Sequence, residues 1–272
     1  MRPLRSSGFT LIEMSIVLVI IALLIGGIAV GRSLIRNSQL QSAGSESAKY
    51  IQAITTFQDK YKALPGDFAE ATNLWGAAHA AAATCKTTAS TTEKKTCNGD
   101  GDGAIAAQSD YASDYYEQFR AWQHLANAGF VEGSFTGTAT SGTYQYTIGT
   151  NIAASRLSGG GWKMLTITTY DIDNVAAAGA ALSYSAGDTP PNLVLWLGST
   201  YSSNLLMNGV MTPTEAMGLD QKYDDGLPLT GKIISQVNLG AGSSKCYSTP
   251  DDIYSAADHD SPSCVLVFKT GL

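Results

Sequence analysis

Gly8-Phe9-Thr10-Leu11-Ile12-Glu13 opens a stretch in which Met14 to Gly31 carries no charge. A short leader holding Arg2 and Arg5 stops at a glycine, a phenylalanine follows, and then comes an apolar helix long enough to cross a bilayer. One carboxylate, Glu13, stands inside that helix. A charge at such a position costs about 2.5–3.5 kcal/mol on insertion scales, so an unpaired acid there needs a partner. Arg2 and Arg5 before the helix, with few charges just after it, place the leader in the cytoplasm and the rest of the chain outside it.

Two plainer readings compete. Ala29-Val30-Gly31 has the small-x-small shape of a signal-peptidase site after an apolar segment, and an unprocessed anchor would also be apolar. Neither calls for Gly8-Phe9 at the cytoplasmic border, and neither gives Glu13 a partner.

The stretch resembles the class III signal of type IV pilins and pseudopilins. That resemblance implies cleavage after Gly8 by a membrane-embedded prepilin peptidase, methylation of the new terminus at Phe9, and Glu13 as the family's buried glutamate. In a filament Glu13 would meet the amine of a neighbour's Phe9, which exists only once the leader is gone. An apolar medium strengthens such a pair and makes either charge alone costly. The implied partners are the peptidase/methyltransferase, copies of this chain and other pilin-like subunits, and an inner-membrane assembly platform. The implied location is the inner membrane with a periplasmic head, then a periplasmic or extracellular filament.

Composition narrows the alternatives. With 272 residues and 44% hydrophobic content, the chain can bury one good core beyond its membrane helix. Losing Arg2 and Arg5 takes the formal net charge from −6 to −8, and 17 basic residues supply no large basic face for nucleic acid.

Four cysteines fit an oxidising compartment. Three pairings are open; sequential pairing, Cys85–Cys97 and Cys246–Cys264, closes two short loops and is the one expected. Each closure is worth roughly 3 kcal/mol in the chain-entropy model. Zinc is disfavoured, because no CxxC spacing occurs and His79 and His259 fall in no ligand pattern.

Past Gly31 the helix turns one-sided. Leu40, Ala43, Tyr50, Ile54, Phe57 and Tyr61 share a stripe, and Leu64-Pro65-Gly66-Asp67 reads as a stop and a turn. One helix from Phe9 to about Lys62 is expected, roughly 80 Å at 1.5 Å per residue. The commonest pilin pattern places a proline in the apolar half; this chain has Gly26, Gly27 and Gly31 instead. Their alternatives, local melting or close helix packing, stay open at this point. A second helix is expected over 114–128 with Gly129 as its C-terminal cap, and a short one from Thr212-Pro213-Thr214-Glu215, a capping box with proline at the first helical position. Strands are expected at Tyr144–Ile148, Trp162–Tyr170, Leu193–Gly198 and Val265–Phe268. The expected fold class is therefore α+β: a long N-terminal helix packed on a head with an antiparallel sheet. The expected division is a leader, 1–8; the long helix, 9–62; and the head, 63–272. The runs Tyr61–Asp67, Cys97–Gly103, Trp122–Leu125 and Tyr223–Pro228 also look like a subgroup of pilin-like proteins.

Within the head, Asn98-Gly99-Asp100-Gly101-Asp102-Gly103 has oxygen donors at alternate positions before a glycine turn, the opening of an EF-hand-like calcium loop. The expected ligands are Asn98, Asp100 and Asp102 side chains and the Ala104 carbonyl, with Ile105 as the apolar anchor. Ser109 stands where such loops carry their closing glutamate, so closure must come from Asp110, Asp114 or Glu117. The competing reading is an acidic turn beside a disulfide. Major pseudopilins of type II secretion use calcium to order a loop, which favours the first by analogy. Asp224-Asp225-Gly226 reads as a turn leaving a helix. His124 is expected to be structural, and His259, between Asp258 and Asp260, has no motif-placed nucleophile to serve. The reading is a structural filament subunit and not an enzyme. The alternative is a secreted or membrane-tethered calcium-dependent binding domain that never polymerises.

Overall fold

The computed structural model describes residues 8–90, 94–105, 116–139, 146–167, 192–200, 206–237, 246–248, 253–255 and 261–272. Most of the leader, Ser109, Asp110, Asp114 and the Asp258–Asp260 triplet lie outside these residues.

One helix, α1, runs unbroken over Leu11–Tyr61, 51 residues or roughly 75 Å. Gly26, Gly27 and Gly31 sit inside it as ordinary helical residues. It ends because Lys62 adopts the left-handed conformation (φ 56°), its N–H still donating to the Gln58 carbonyl, and Pro65 follows.

The two halves of α1 are built differently. From Leu11 to Val30 every residue is exposed, large apolar side chains included. From Ala43 onward Ala43, Gly44, Ser47, Tyr50, Ala53, Ile54 and Phe57 are buried, the face the stripe predicts. Tyr50 stands edge-on to Trp122 and Trp162, with ring centroids 4.9 and 5.7 Å away, and Phe57 packs among Phe68, Trp75 and Phe130.

Behind α1 come α2 (Ala71–Trp75), α3 (Ala82–Cys85) and α4 (Glu117–Asn127). Helix α4 is the central element, buried from Glu117 through Leu125. Gly129 caps its end at φ 79°, with Phe130 N–H reaching the Leu125 carbonyl.

The sheet contains β1 (Ala153–Ala154), β2 (Gly161–Ile167), β3 (Asn192–Thr200), β4 (Leu206–Asn208), β5 (Ile233–Val237) and β8 (Cys264–Lys269), paired antiparallel in the order β1-β2-β3-β8-β5 with β4 on β3. A separate pair, β6 (Tyr247–Ser248) and β7 (Ile253–Tyr254), lies inside the second cysteine loop. The fold is α+β.

Three expected strands are present: β2 for Trp162 onward, β3 for Leu193–Gly198 and β8 for Val265–Phe268. The strand expected at Tyr144–Ile148 is not formed over its described part, where Ile148 makes only an isolated bridge to Ile152. Gly149 and Thr150 turn the chain there, and Thr147 N–H is taken by the Asn151 side chain. Strand β5 had no counterpart in the expectation. It completes the far edge by pairing Ile233 with Phe268 and Ile234 with Val267.

Helix α5 (Pro213–Tyr223) opens on the expected Thr212–Glu215 capping box. It lies against α1, where Arg36 makes a bidentate ion pair with Glu215 at 2.6 Å. Gly44 leaves room at that crossing for the Tyr223 ring, which a Cβ there would approach to 2.3 Å. A second tie, Glu46, accepts from Ser155 Oγ, Arg156 N–H and Trp162 Nε1 at 2.6–2.9 Å, pinning α1 to the sheet.

Candidate functional site

The N-terminal site begins outside the helix. Gly8, Phe9 and Thr10 are exposed, and helical structure starts at Leu11. Thr10 is the N-cap. Its Oγ1 accepts from Glu13 N–H at 3.3 Å, while Glu13 Oε2 accepts from Thr10 N–H at 2.8 Å and from Thr10 Oγ1 at 2.7 Å. Glu13 therefore has a local role that the sequence reading missed, although Thr-x-x-Glu ahead of an apolar run is the signal for it. Satisfying the Thr10 N–H and Glu13 N–H matters at a helix end that would otherwise leave donors open. The arrangement also keeps the carboxylate within one turn of the Phe9 backbone.

Residues 4–29 match the prokaryotic N-terminal methylation motif. The chain carries a type IV pilin-like class III signal. This signal implies processing by a prepilin peptidase and assembly of the pilin kind, and the proteins that carry it are structural, not enzymatic. It fits membrane anchoring before assembly, as does α1, which is long and apolar enough to cross a membrane with none of its most apolar segment buried. No curated protein and no solved structure matches the chain.

Both disulfides join sequence neighbours: Cys85 with Cys97 and Cys246 with Cys264. The first closes on the acidic loop. There the structure brings together one carboxylate oxygen each from Asp67, Asp100 and Asp102, all within 4.8 Å of one another. Asp67 is the member sequence reasoning missed. Its carboxylate accepts Gly101 N–H (2.6 Å), Asp102 N–H (3.1 Å) and Gly103 N–H (3.0 Å), so it shapes the loop from outside. Burial pushes its carboxyl up to about 6, with Asp102 and Asp100 acting the same way against the Gly103 and Gly101 N–H bonds. Gly99 permits the approach: a Cβ there would lie 2.3 Å from the Asp67 backbone.

The other expected ligands serve the loop's framework. Asn98 Oδ1 accepts from Thr72 N–H at 2.7 Å, inside α2, and Asn98 O accepts from the Tyr116 hydroxyl. Glu117 is buried and accepts from Asp100 N–H at 3.0 Å. Ala104 N–H donates to Asp102 Oδ1, and Ile105 is fully buried, exchanging hydrogen bonds with Thr166 on β2.

His124 is structural. Gly66 N–H donates to its Nδ1 at 3.0 Å, and its Nε2 faces the Cys97 carbonyl and Thr96 Oγ1. Only the neutral Nε2–H form satisfies all of these, and burial, helped by Arg120, depresses its pKa to about 3. It joins the Leu64–Asp67 turn to the first disulfide.

A second acidic group, Asp220, Asp224 and Asp225, gathers at the end of α5, again with one oxygen each within 4.8 Å. Asp224 Oδ2 accepts from the N–H groups of Lys232 and Ile233; Asp225 accepts from Leu227 N–H and Thr230 Oγ1. These are the bonds expected of a turn, and they hold the start of β5. Asp220, one helical turn earlier, is fully buried and had no place in the sequence reading.

Proposed function

We propose that the mature chain is a structural subunit of a type IV pilus-like filament or a type II secretion pseudopilus. Its leader is removed after Gly8, its helix is stored in the inner membrane, and its head faces the periplasm until the subunit enters the fibre. The observation that carries this reading is the division of α1, one continuous helix whose first half is apolar on every side while its second half belongs to the head. Packing that first half against neighbouring helices replaces lipid contacts with close van der Waals contacts between helices. Glu13 then exchanges its Thr10 contacts for the amine of a neighbour's Phe9, a charge-assisted bond in an apolar medium. Filaments sheared from cells test this. Glu13→Ala should insert and be cleaved normally yet be missing or depleted in the sheared fraction; incorporation equal to wild type would overturn the pairing. A tethered domain that never polymerises predicts no fibre for either chain.

Calcium at the first acidic loop belongs to the same reading. The supporting observation is the convergence of Asp67, Asp100 and Asp102, hard oxygen donors of the kind that hold calcium. A bound cation would favour the ionised form of Asp67 and tie the Leu64–Asp67 turn to the disulfide loop. Millimolar calcium should then raise the melting temperature of the purified chain by mass action, and Asp100→Ala with Asp102→Ala should weaken that response. Calcium titration without any shift would reduce the loop to an acidic turn.

A further inference from the structure

We propose that Asp220, Asp224 and Asp225 form a second site for a hard divalent cation, calcium first, separate from the Asp67 loop. The deciding observation is Asp220 itself. It is fully buried; its Oδ2 accepts the Tyr254 hydroxyl at 2.7 Å and the Gly226 N–H acts on the same carboxyl, while Oδ1 makes no hydrogen bond of normal geometry. Leaving a buried carboxylate oxygen without a full hydrogen bond is costly, and structures retain such groups where something else completes them. Two further carboxylates stand within 4.8 Å, and no ion pair among the described residues neutralises any of the three. Asp224 is half-buried and Asp225 exposed, so the cluster opens to solvent and an ion can enter. Three carboxylates without a thiolate or imidazole select a hard cation with oxygen ligands over zinc or copper.

The surroundings give the ion something to do. Tyr254, which donates to Asp220, also accepts from Ser235 Oγ on β5, and it sits on β7 within the Cys246–Cys264 loop. Asp224 holds the backbone entering β5. One cation would therefore brace α5, β5 and the second disulfide loop together. Helix α5 is also the element that grips α1 through Arg36 and Tyr223. Divalent-ion occupancy would thus stiffen the head directly behind the helix that enters the fibre.

The test is calcium binding by the full-length chain in detergent, with calcium chloride as the sole added ligand and calorimetry for stoichiometry. Asp225→Asn changes an exposed side chain and should remove one equivalent, or weaken it at least about tenfold, since charge count sets affinity at such sites. Asp220→Asn should do the same with both disulfides retained by mass. Asp100→Ala with Asp102→Ala should leave this equivalent in place, which separates the site from the first loop. Stoichiometry and affinity unchanged in Asp225→Asn, or no binding of calcium or magnesium by the Asp100→Ala, Asp102→Ala chain, would overturn the proposal.

Discussion

The two halves of α1 follow the same backbone rules and opposite side-chain rules. Leu11–Val30 exposes Leu, Ile and Val around the whole circumference, whereas Ala43–Phe57 buries one stripe and leaves glutamine and lysine on the other side. In water the first pattern would be an aggregation hazard; in lipid or among identical helices it is at home. The second half needs no membrane, since its aromatic rings fit between α4 and the sheet. The lesson is that helix continuity and helix environment are specified separately, so one unbroken helix can join a segment suited to lipid to a segment suited to a folded head.

The sharpest way to break the contrast is at its start. A Cβ at Gly8 would meet nothing within 4 Å, so Gly8→Val should leave the fold alone and, on the proposed reading, block cleavage by the peptidase. We expect the leader to stay attached and assembly to vanish while the head melts as wild type; a normally shortened band on a gel would place the cut elsewhere.

Next in size is a matched pair of truncations. Phe57→Ala removes a fully buried ring and should destabilise the head by about 3–5 kcal/mol. Leu23→Ala, on the exposed half, should leave head stability within about 0.5 kcal/mol. Chemical denaturation followed by tryptophan fluorescence compares them, and equal losses would mean that the halves are not independent.

Acid probes the same boundary, because the strongly perturbed histidine and carboxyl groups among the described residues belong to the head. His124, depressed to about 3, contributes stability that is complete above its unfolded value near 6.5 and is lost as pH falls toward 3. Asp67 and Asp220, both raised to about 6 chiefly by burial, act in reverse: their contribution is present below about 3.8 and is lost as pH rises through about 6. His124→Gln can keep an acceptor for Gly66 and a donor for Cys97. It should therefore lose less stability than wild type between pH 7 and pH 4 when melting is measured in chelator. An equal acid response in both would show that His124 is not the titrating group.

The smallest expected effect is at the joint between the halves. Arg36→Ala opens the partly exposed ion pair to Glu215 and should cost about 1 kcal/mol. A loss several times larger would mean that α1 is held to α5 mainly by charge and not by the Gly44–Tyr223 contact.

Local patterning made much of this legible from residues alone. The stripe from Ala43 to Tyr61, the caps at Thr212 and Gly129, and the apolar runs of β2, β3 and β8 are all encoded within a few residues of where they act. What stayed hidden depends on distance along the chain. Asp67 reaches Gly101 across 34 residues, so the first acidic cluster could not be assembled from spacing; Asp220 stands only one helical turn before Asp224, but its burial and its bond to Tyr254, another 34 residues on, are not local. Strand β5 is short and follows Gly231-Lys232, and its identity comes from pairing with β8, which lies 27 or more residues downstream. Glu46 lies off the apolar stripe, yet Trp162 and Ser155 make it an anchor.

Intact mass of the chain recovered from membranes and from sheared filaments tests the central claim most directly. The account predicts a terminus at Phe9 carrying one extra methyl group in both fractions. A terminus at Arg32, or an uncut leader on the assembled form, would contradict it.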